Sequence, residues 1–314
     1  MDMGTELSIV VPVFNEAGNI EKLCSELIPV LERLGVEWEV IFCDDGSDDA
    51  SWKIIDTLHR NDERIKGIRF SRNFGHQYAL FAGMQHASGK AVVTMDGDLQ
   101  HPPELLPDML ERWRTGDRIV HTVRVDGNEQ GVLKRASSAL FYRVFSFLSG
   151  VKMESGMADF RLLDRQVLDE LLKFKEEGLF LRGIVHWVGY QSSKLEFQCG
   201  QRFSGKGKYG LRKMLKLAWT GVTSFSLVPL RVSIIIGILT SLLAFAEMVY
   251  AIYAKLFTDT VVPGWASGVA VVSFLFGILF ILLGVLGEYL GRVLIESRNR
   301  PRFLISECIG IAKD

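Results

Sequence analysis

Leu7-Ser8-Ile9-Val10-Val11-Pro12-Val13 is the stretch on which the fold turns. It is a nearly uniform, β-branched apolar run, the pattern of a strand covered on both faces rather than one. Beyond it, Ala17–Leu34 has helical periodicity, with Ile20, Leu23, Leu27, Leu31 and Leu34 on one face. Glu39–Cys43 reads as a second short strand, after which Ser47 is expected to cap a helix running to about Arg60, with Asp48 and Asp49 near its positive end. Gly67–Phe70 and Ala91–Met95 read as further strands, with a helix over Gln77–Ala87 between them. Strand and helix in alternation predict an α/β fold with a doubly wound, mostly parallel sheet. Functional groups of such a sheet collect on the loops at the carboxyl ends of its strands.

Those loops are acidic. Thr94-Met95-Asp96-Gly97-Asp98-Leu99-Gln100 takes an apolar strand directly into two carboxylates at i and i+2, which point the same way on an extended chain. Like charges at a strand tip repel each other, and they make sense as ligands of a hard divalent cation, with Gln100 adding a neutral oxygen. A lone D-x-D is common in solvated turns; its position at the end of a buried strand, ahead of Pro102-Pro103, is what gives this one weight. Asp44-Asp45-Gly46-Ser47 follows the second strand; helix capping accounts for part of it, and a carboxylate there is also able to accept from the N–H of a nucleobase. The first strand ends in Phe14-Asn15-Glu16, so three strands deliver acidic or amide groups to one edge, as a nucleotide–metal site requires. No G-x-G-x-x-G follows the first strand, which disfavours a dinucleotide fold. Gly200–Lys206 fits G-x-x-x-x-G-K, but Gly207 stands where the metal-binding Ser or Thr of an NTPase belongs.

Lys and Arg number 36 and Asp and Glu 37, a net charge of −1 that points away from nucleic acid as a partner. Four scattered cysteines (Cys24, Cys43, Cys199 and Cys308) form no C-x-x-C pair, which disfavours a zinc site and fits a reducing compartment. The later part of the chain changes character. Val232–Ala254 is interrupted only by Glu247, and Val261–Gly287 carries no charge, so the two read as a transmembrane hairpin. Arg212, Lys213, Lys216 and Arg231 precede it and Arg292, Arg298, Arg300 and Arg302 follow, which predicts that the first domain and both termini are cytoplasmic. Lys206–Ser226 mixes basic and apolar residues in the manner of a helix lying on anionic lipid, and aromatic-rich Leu140–Leu148 is either a second lipid contact or a core helix. Gly287-Glu288-Tyr289-Leu290-Gly291 has small-xxx-small spacing, a hint of homo-oligomers through the membrane helices. The expected organisation is a catalytic domain over 1–200, a basic loop and interfacial helix over 201–227, the hairpin over 228–292 and a cytoplasmic tail over 293–314.

Pro12-Val13-Phe14-Asn15-Glu16, Asp44-Asp45-Gly46-Ser47 and Asp96-Gly97-Asp98, in this order, resemble glycosyltransferase family 2, whose members have the inverting GT-A fold. Ser71–Gln77 (SRNFGHQ), Asp98–Glu104 (DLQHPPE) and Ser155–Arg165 narrow the resemblance to the polyisoprenyl-phosphate glycosyltransferases, and within them to the bactoprenol (undecaprenyl-phosphate) glucosyltransferases, related to dolichyl-phosphate mannosyltransferase. It covers nearly the whole chain. Departures are Ala158 where Ser is usual, Gly97 where Ala is common, and Gly207 for Ser in the basic loop Arg202–Tyr209.

The resemblance implies one displacement at the anomeric carbon, with glucose from UDP-glucose favoured over GDP-mannose, UDP-N-acetylhexosamine or a modified arabinose donor. It implies that Pro12, Phe14, Asn15, Glu16, Asp45, Arg72, Asp96 and Asp98 bind the nucleotide sugar, and that Asp96, Asp98 and Gln100 hold Mg²⁺ or Mn²⁺. The acceptor, a polyisoprenyl phosphate, has a second pKa of about 6 and needs a cationic cradle more than a strong base. Arg124, Lys134, Arg135, Arg161, Arg202 and Lys208 are its candidates, about half of which ordinary surface charge would explain. Asp159 matches the proposed catalytic base of the family; orienting Arg161, binding a sugar hydroxyl, or taking a proton only from a monoanionic acceptor are open alternatives. A processive polysaccharide synthase would be expected to carry Q-x-x-R-W and more spans, and a nucleotide sensor would have no use for converging carboxylates beside a basic loop.

Overall fold

The computed structural model describes residues 5–125, 156–174, 180–198, 227–257 and 264–311. Two units can be distinguished, one comprising 1–147, 151–215 and 301–314, the other 148–150 and 216–300.

The first unit is built on an eight-stranded sheet in the order β7-β5-β6-β4-β1-β2-β3-β8. β1 (Leu7–Val13) and β2 (Trp38–Asp44) are buried at every position; the near-uniform apolar text of β1 requires it, whereas β2 also buries Glu39 and Asp44. β1 pairs in parallel with β2 on one side and with β4 (Ala91–Thr94) on the other, and β2 pairs in parallel with β3 (Ile65–Phe70). Chain order therefore reverses at β1/β4, the crevice where α/β sheets bind ligands. α1 covers Ala17–Leu34, its bounds as expected, and buries Ile20, Leu23, Leu27 and Leu31. α3 (His76–His86) crosses β1 and β2 closely: a Cβ on Gly83 would lie 2.3 Å from Val10 Cγ1 and 2.6 Å from Cys43 Sγ. Gly83→Ala is expected to cost about 1–3 kcal/mol by overpacking, visible as a lowered midpoint in thermal unfolding; an unchanged midpoint would contradict this packing.

Three features depart from the expected elements. Ser47 caps no helix. α2 begins at Ser51 and runs to Asn61, because Asp44 Oδ1 accepts from Ser47 N (2.9 Å), Gly46 turns the chain at φ +71°, and Ser47 Oγ is taken by Asn15 N (2.9 Å). Beyond α4 (Leu106–Arg114), the sheet is extended by β5 (Ile119–Arg124), by β6 (Met157–Asp164), antiparallel to both β4 and β5, and by β7 (Ser192–Phe197), parallel to β5. α5 (Arg165–Leu172) and α6 (Leu181–Trp187) follow β6. Finally, Ile305–Ile309, within the segment expected to be a tail, is β8, an antiparallel edge strand on β3.

The described part of the second unit is two helices, α7 (Val228–Phe257) and α8 (Trp265–Ser297). Val228–Ala254 and Phe274–Ser297 are long and apolar enough to cross a membrane, with large side chains such as Ile234, Leu239, Phe280 and Ile281 exposed. At 1.5 Å per residue, 24 residues reach about 36 Å, more than the roughly 30 Å of a hydrocarbon core. Glu247 is exposed on α7. The basic stretch 206–226 and Leu140–Leu148 lie outside the described residues.

Candidate functional site

The carboxyl ends of β1, β2 and β4 meet at one edge of the sheet. Pro12 is buried within β1, and the chain then turns through Phe14, exposed, and Asn15, which is held at φ +57°. An L-residue in that region costs about 1 kcal/mol or more, and the surroundings maintain it: Asn15 Oδ1 accepts from Asp48 N (2.9 Å), and Glu16 N donates to Ser51 Oγ (3.0 Å). Glu16 itself accepts from Asn19 Nδ2 (2.5 Å).

At the end of β2, Asp44 is fully buried, and burial raises its pKa against the opposing effect of Ser47 and Arg69. Asp45, expected at the nucleotide, fastens a neighbouring loop: Oδ1 accepts from Phe74 N (2.7 Å) and Oδ2 from Gly75 N (2.9 Å). Contact with a base would use its remaining lone pairs. Gly46 permits this closure, since a Cβ there would lie 2.5 Å from the carbonyl carbon of Arg72. Arg72 is exposed and stacks over Phe74, 4.1 Å from the ring centre.

The end of β4 carries Asp96, Asp98 and Gln100. His76 Nε2 lies 2.8 Å from Asp96 Oδ1, and Asp96 N donates to His101 Nδ1 (2.9 Å), which fixes the His101 proton on Nε2. Burial disfavours an ionised Asp96, but the hydrogen bond and charge of His76 outweigh it and lower its pKa. Asp98 Oδ1 accepts from Gln100 N (3.2 Å), and the intervening Leu99 sits at φ +63°. A second strained L-residue thus lies between two expected ligands. Two carboxylates and an amide form an all-oxygen donor set suited to Mg²⁺ or Mn²⁺. Among the described residues no group of three or more His, Cys, Asp or Glu is placed to hold an ion alone.

Beside β4, Asp159 on β6 is buried between two guanidinium groups. Arg161 Nη2 donates to Oδ1 (2.6 Å), and Arg182 grips both oxygens through Nε (2.9 Å) and Nη2 (2.8 Å). Burial would raise the Asp159 pKa; Arg182 and then Arg161 overcome it and hold the carboxyl well below its usual range. Such a group is a weak proton acceptor. It accepts hydrogen bonds from both arginines. Their exposures differ: 5 % of the Arg161 side chain is accessible and 33 % of Arg182. Arg161, expected at the acceptor phosphate, is therefore a buried counter-ion, and Arg182 takes the open side. The depressed pKa gives a sign: stability from Asp159 is fully present above the unfolded carboxyl pKa of about 3.9 and is lost as pH falls through the lower folded value. The loss in unfolding midpoint on Asp159→Asn is expected to be the same at pH 5 and pH 8; a loss that vanishes toward pH 5 would contradict the clamp.

Arg124 ends β5 and is exposed, its N–H donating to Gly156 O (2.8 Å). Lys134, Arg135, Arg202 and Lys208 lie outside the described residues. Sequence reasoning missed His76, His101 and Arg182. His76 stands in the quoted SRNFGHQ segment and His101 directly follows Gln100, so both were within reach; Arg182, in LRGIVHW, carried no local signal.

Comparison with known proteins bears on this arrangement. The family model described as Glycosyl transferase family 2 matches residues 8–172. The chain is 40 % identical to an uncharacterized glycosyltransferase, YkcC, of Bacillus subtilis (strain 168), over 99 % of this chain and 96 % of that protein. It is 39 % identical to the bactoprenol glucosyl transferase of Shigella phage SfV, over 96 % of this chain and 98 % of that one. Among solved structures, mannosyl-3-phosphoglycerate synthase from Rubrobacter xylanophilus aligns with a TM-score of 0.48 at 16 % identity, covering 69 % of this chain and 72 % of that one.

Proposed function

The chain belongs to glycosyl transferase family 2, and from that premise we propose that it transfers glucose from UDP-glucose to a polyisoprenyl (undecaprenyl) phosphate, with inversion, at the cytoplasmic face of a membrane. It is a glycosyltransferase of the α/β GT-A class. The observation that carries the finer reading is one edge of the sheet where the Asp96 carboxylate, tied to His76, lies within electrostatic reach of Asp159 between its two arginines, on a chain that also has two helices of membrane-crossing length. Support for the lipid acceptor comes from a relative named bactoprenol glucosyl transferase, which aligns along 96 % of the chain. Basic residues outside the two helices support the cytoplasmic placement of both ends.

The chemistry needs three services. The leaving nucleoside diphosphate develops charge; Asp96, Asp98 and Gln100 would hold a divalent cation, which as a Lewis acid stabilises that charge. The loops Pro12–Glu16 and Asp45, with Arg72 beside them, would seat the nucleotide, pre-shaped by the hydrogen bonds between them. The acceptor phosphate is a dianion near neutral pH, so the site owes it orientation and charge rather than deprotonation. Arg182, held through Nε and Nη2 by Asp159, presents a fixed cation, and ordered arginines suit phosphate oxygens. The helix pair keeps the reaction where a polyprenyl tail remains in the bilayer.

Purified full-length protein in lipid nanodiscs, undecaprenyl phosphate and radiolabelled UDP-glucose, GDP-mannose or UDP-N-acetylglucosamine test this directly. A labelled lipid from UDP-glucose, lost on adding EDTA, is expected. A labelled lipid from another donor would overturn the glucose assignment alone. A labelled polymer, or no lipid product from any donor, would overturn the whole reading.

A further inference from the structure

Arg69 stands at the junction of three elements. From β3 it faces Glu307 of β8 across the antiparallel ladder, and Nη1 lies 3.0 Å from Glu307 Oε1. Its Nη2 donates to Ser47 O (3.3 Å), and its Nε is 3.5 Å from Asp44 Oδ2. That Asp44 oxygen is buried and makes no hydrogen bond, so Arg69 supplies a counter-charge that a buried carboxylate needs. Glu307 is held in turn: its Oε2 accepts from Trp52 Nε1 (3.0 Å), at the start of α2. The loop that Arg69 touches is the one that shapes the end of β1, through Ser47 Oγ on Asn15 N (2.9 Å) and Asp48 N on Asn15 Oδ1 (2.9 Å).

An edge strand that merely covered β3 would need backbone pairing and no particular side chain at residue 307. Instead the one acidic side chain of β8 is fixed by an indole N–H on one oxygen and by Arg69 on the other. The rest of the segment is fastened separately, by Ser71 N on Leu304 O (2.9 Å) and by Phe303 stacked on Phe70 at 4.8 Å. Strand docking therefore does not depend on Glu307, and its carboxylate is available for another task.

We propose that Glu307 is a positioning residue for donor binding: from the C-terminal strand it sets Arg69, and Arg69 sets the Asp44–Ser47 loop against the Asn15 turn where the nucleotide sits. This rests on the donor-site reading above. β8 is joined to α8 by residues 298–304, so the segment leaving the apolar helices is also the one that completes the nucleotide loop.

The test is UDP binding by titration calorimetry on the full-length protein, with donor and acceptor KM from the labelled-lipid assay. Glu307 is half exposed, so Glu307→Gln is expected to weaken UDP by about threefold, raising donor KM in step and leaving acceptor KM alone. Arg69→Gln, which strips a buried carboxylate of its counter-charge, is expected to weaken UDP by more than about tenfold. The double variant is expected to be no weaker than Arg69→Gln, because Glu307 acts through Arg69. Additive losses, or a lowered unfolding midpoint with unchanged UDP affinity in Glu307→Gln, would overturn the proposal and leave β8 a structural edge. Should Glu307→Gln not fold, Trp52→Phe removes one restraint on Glu307 while keeping the carboxylate, and it is expected to weaken UDP by less than Arg69→Gln; unchanged affinity there would also overturn it. Wild-type protein that binds no UDP would sink the donor-site reading itself.

Discussion

Asp98→Asn is expected to lower turnover roughly 10³-fold or more while the protein remains folded. Asparagine has the same shape, and its carbonyl oxygen is able to keep the bond that Asp98 Oδ1 accepts from Gln100 N. What disappears is one of the two negative charges, at Asp96 and Asp98, expected to hold the cation. A Lewis-acid cation is worth several kcal/mol of transition-state stabilisation, at about 1.4 kcal/mol per tenfold. Labelled-lipid formation over a Mg²⁺ and Mn²⁺ titration checks this, with part of the lost rate returning at high metal. Near-wild-type turnover at ordinary metal concentrations would remove Asp98 from the cation site.

Asp159→Ala is expected to damage stability and turnover together. It strips the shared partner from Arg161, which is buried, and from Arg182. Breaking a buried ion pair from one side costs about 3–5 kcal/mol, because the orphaned charge remains desolvated. The companion Arg161→Met removes that orphan, so the double variant Asp159→Ala/Arg161→Met is expected to regain much of the unfolding midpoint. Turnover is not expected to return with it, since Arg182 would still lack its orienting carboxylate. Thermal unfolding and kcat measured on the three variants separate the two effects. Recovery of both in the double variant would show that Asp159 serves the fold alone; full stability of Asp159→Ala would show that the clamp carries no load.

Much of the fold was legible because the first half of the sheet is built from local signals. Leu7–Val13 and Ala17–Leu34 were read with their bounds, since a uniform apolar run and a 3.6-residue stripe are properties of contiguous text. The Ser47 cap failed because the competing partners, Asp44 and Asn15, act from the strand before and from a loop 32 residues away. β8 was missed for a related reason: ISECI pairs with residues some 240 positions earlier, and its exposed, half-polar pattern suits an edge.

The candidate site divides along the same line. Asp96 and Asp98 were visible as i, i+2 carboxylates at a strand tip, a relation fixed by backbone geometry alone. Asp159 was visible only through its motif; the two arginines that hold its carboxyl well below the usual range were not legible in the text. Arg182 enters from α6, 23 residues beyond Asp159, on a helix placed by Leu181 N donating to Gln77 Oε1 (3.2 Å). No spacing in the text encodes that meeting.

The most direct measurement is electron paramagnetic resonance of Mn²⁺ added to the full-length protein, with and without UDP, in wild type and Asp98→Asn. A protein-bound Mn²⁺ signal that grows on adding UDP is expected in wild type and is expected to be absent from the variant at the same concentrations. Equal Mn²⁺ binding by both proteins, or binding by wild type indifferent to UDP, would place the ion elsewhere and contradict a cation held at the tip of β4 for the leaving diphosphate.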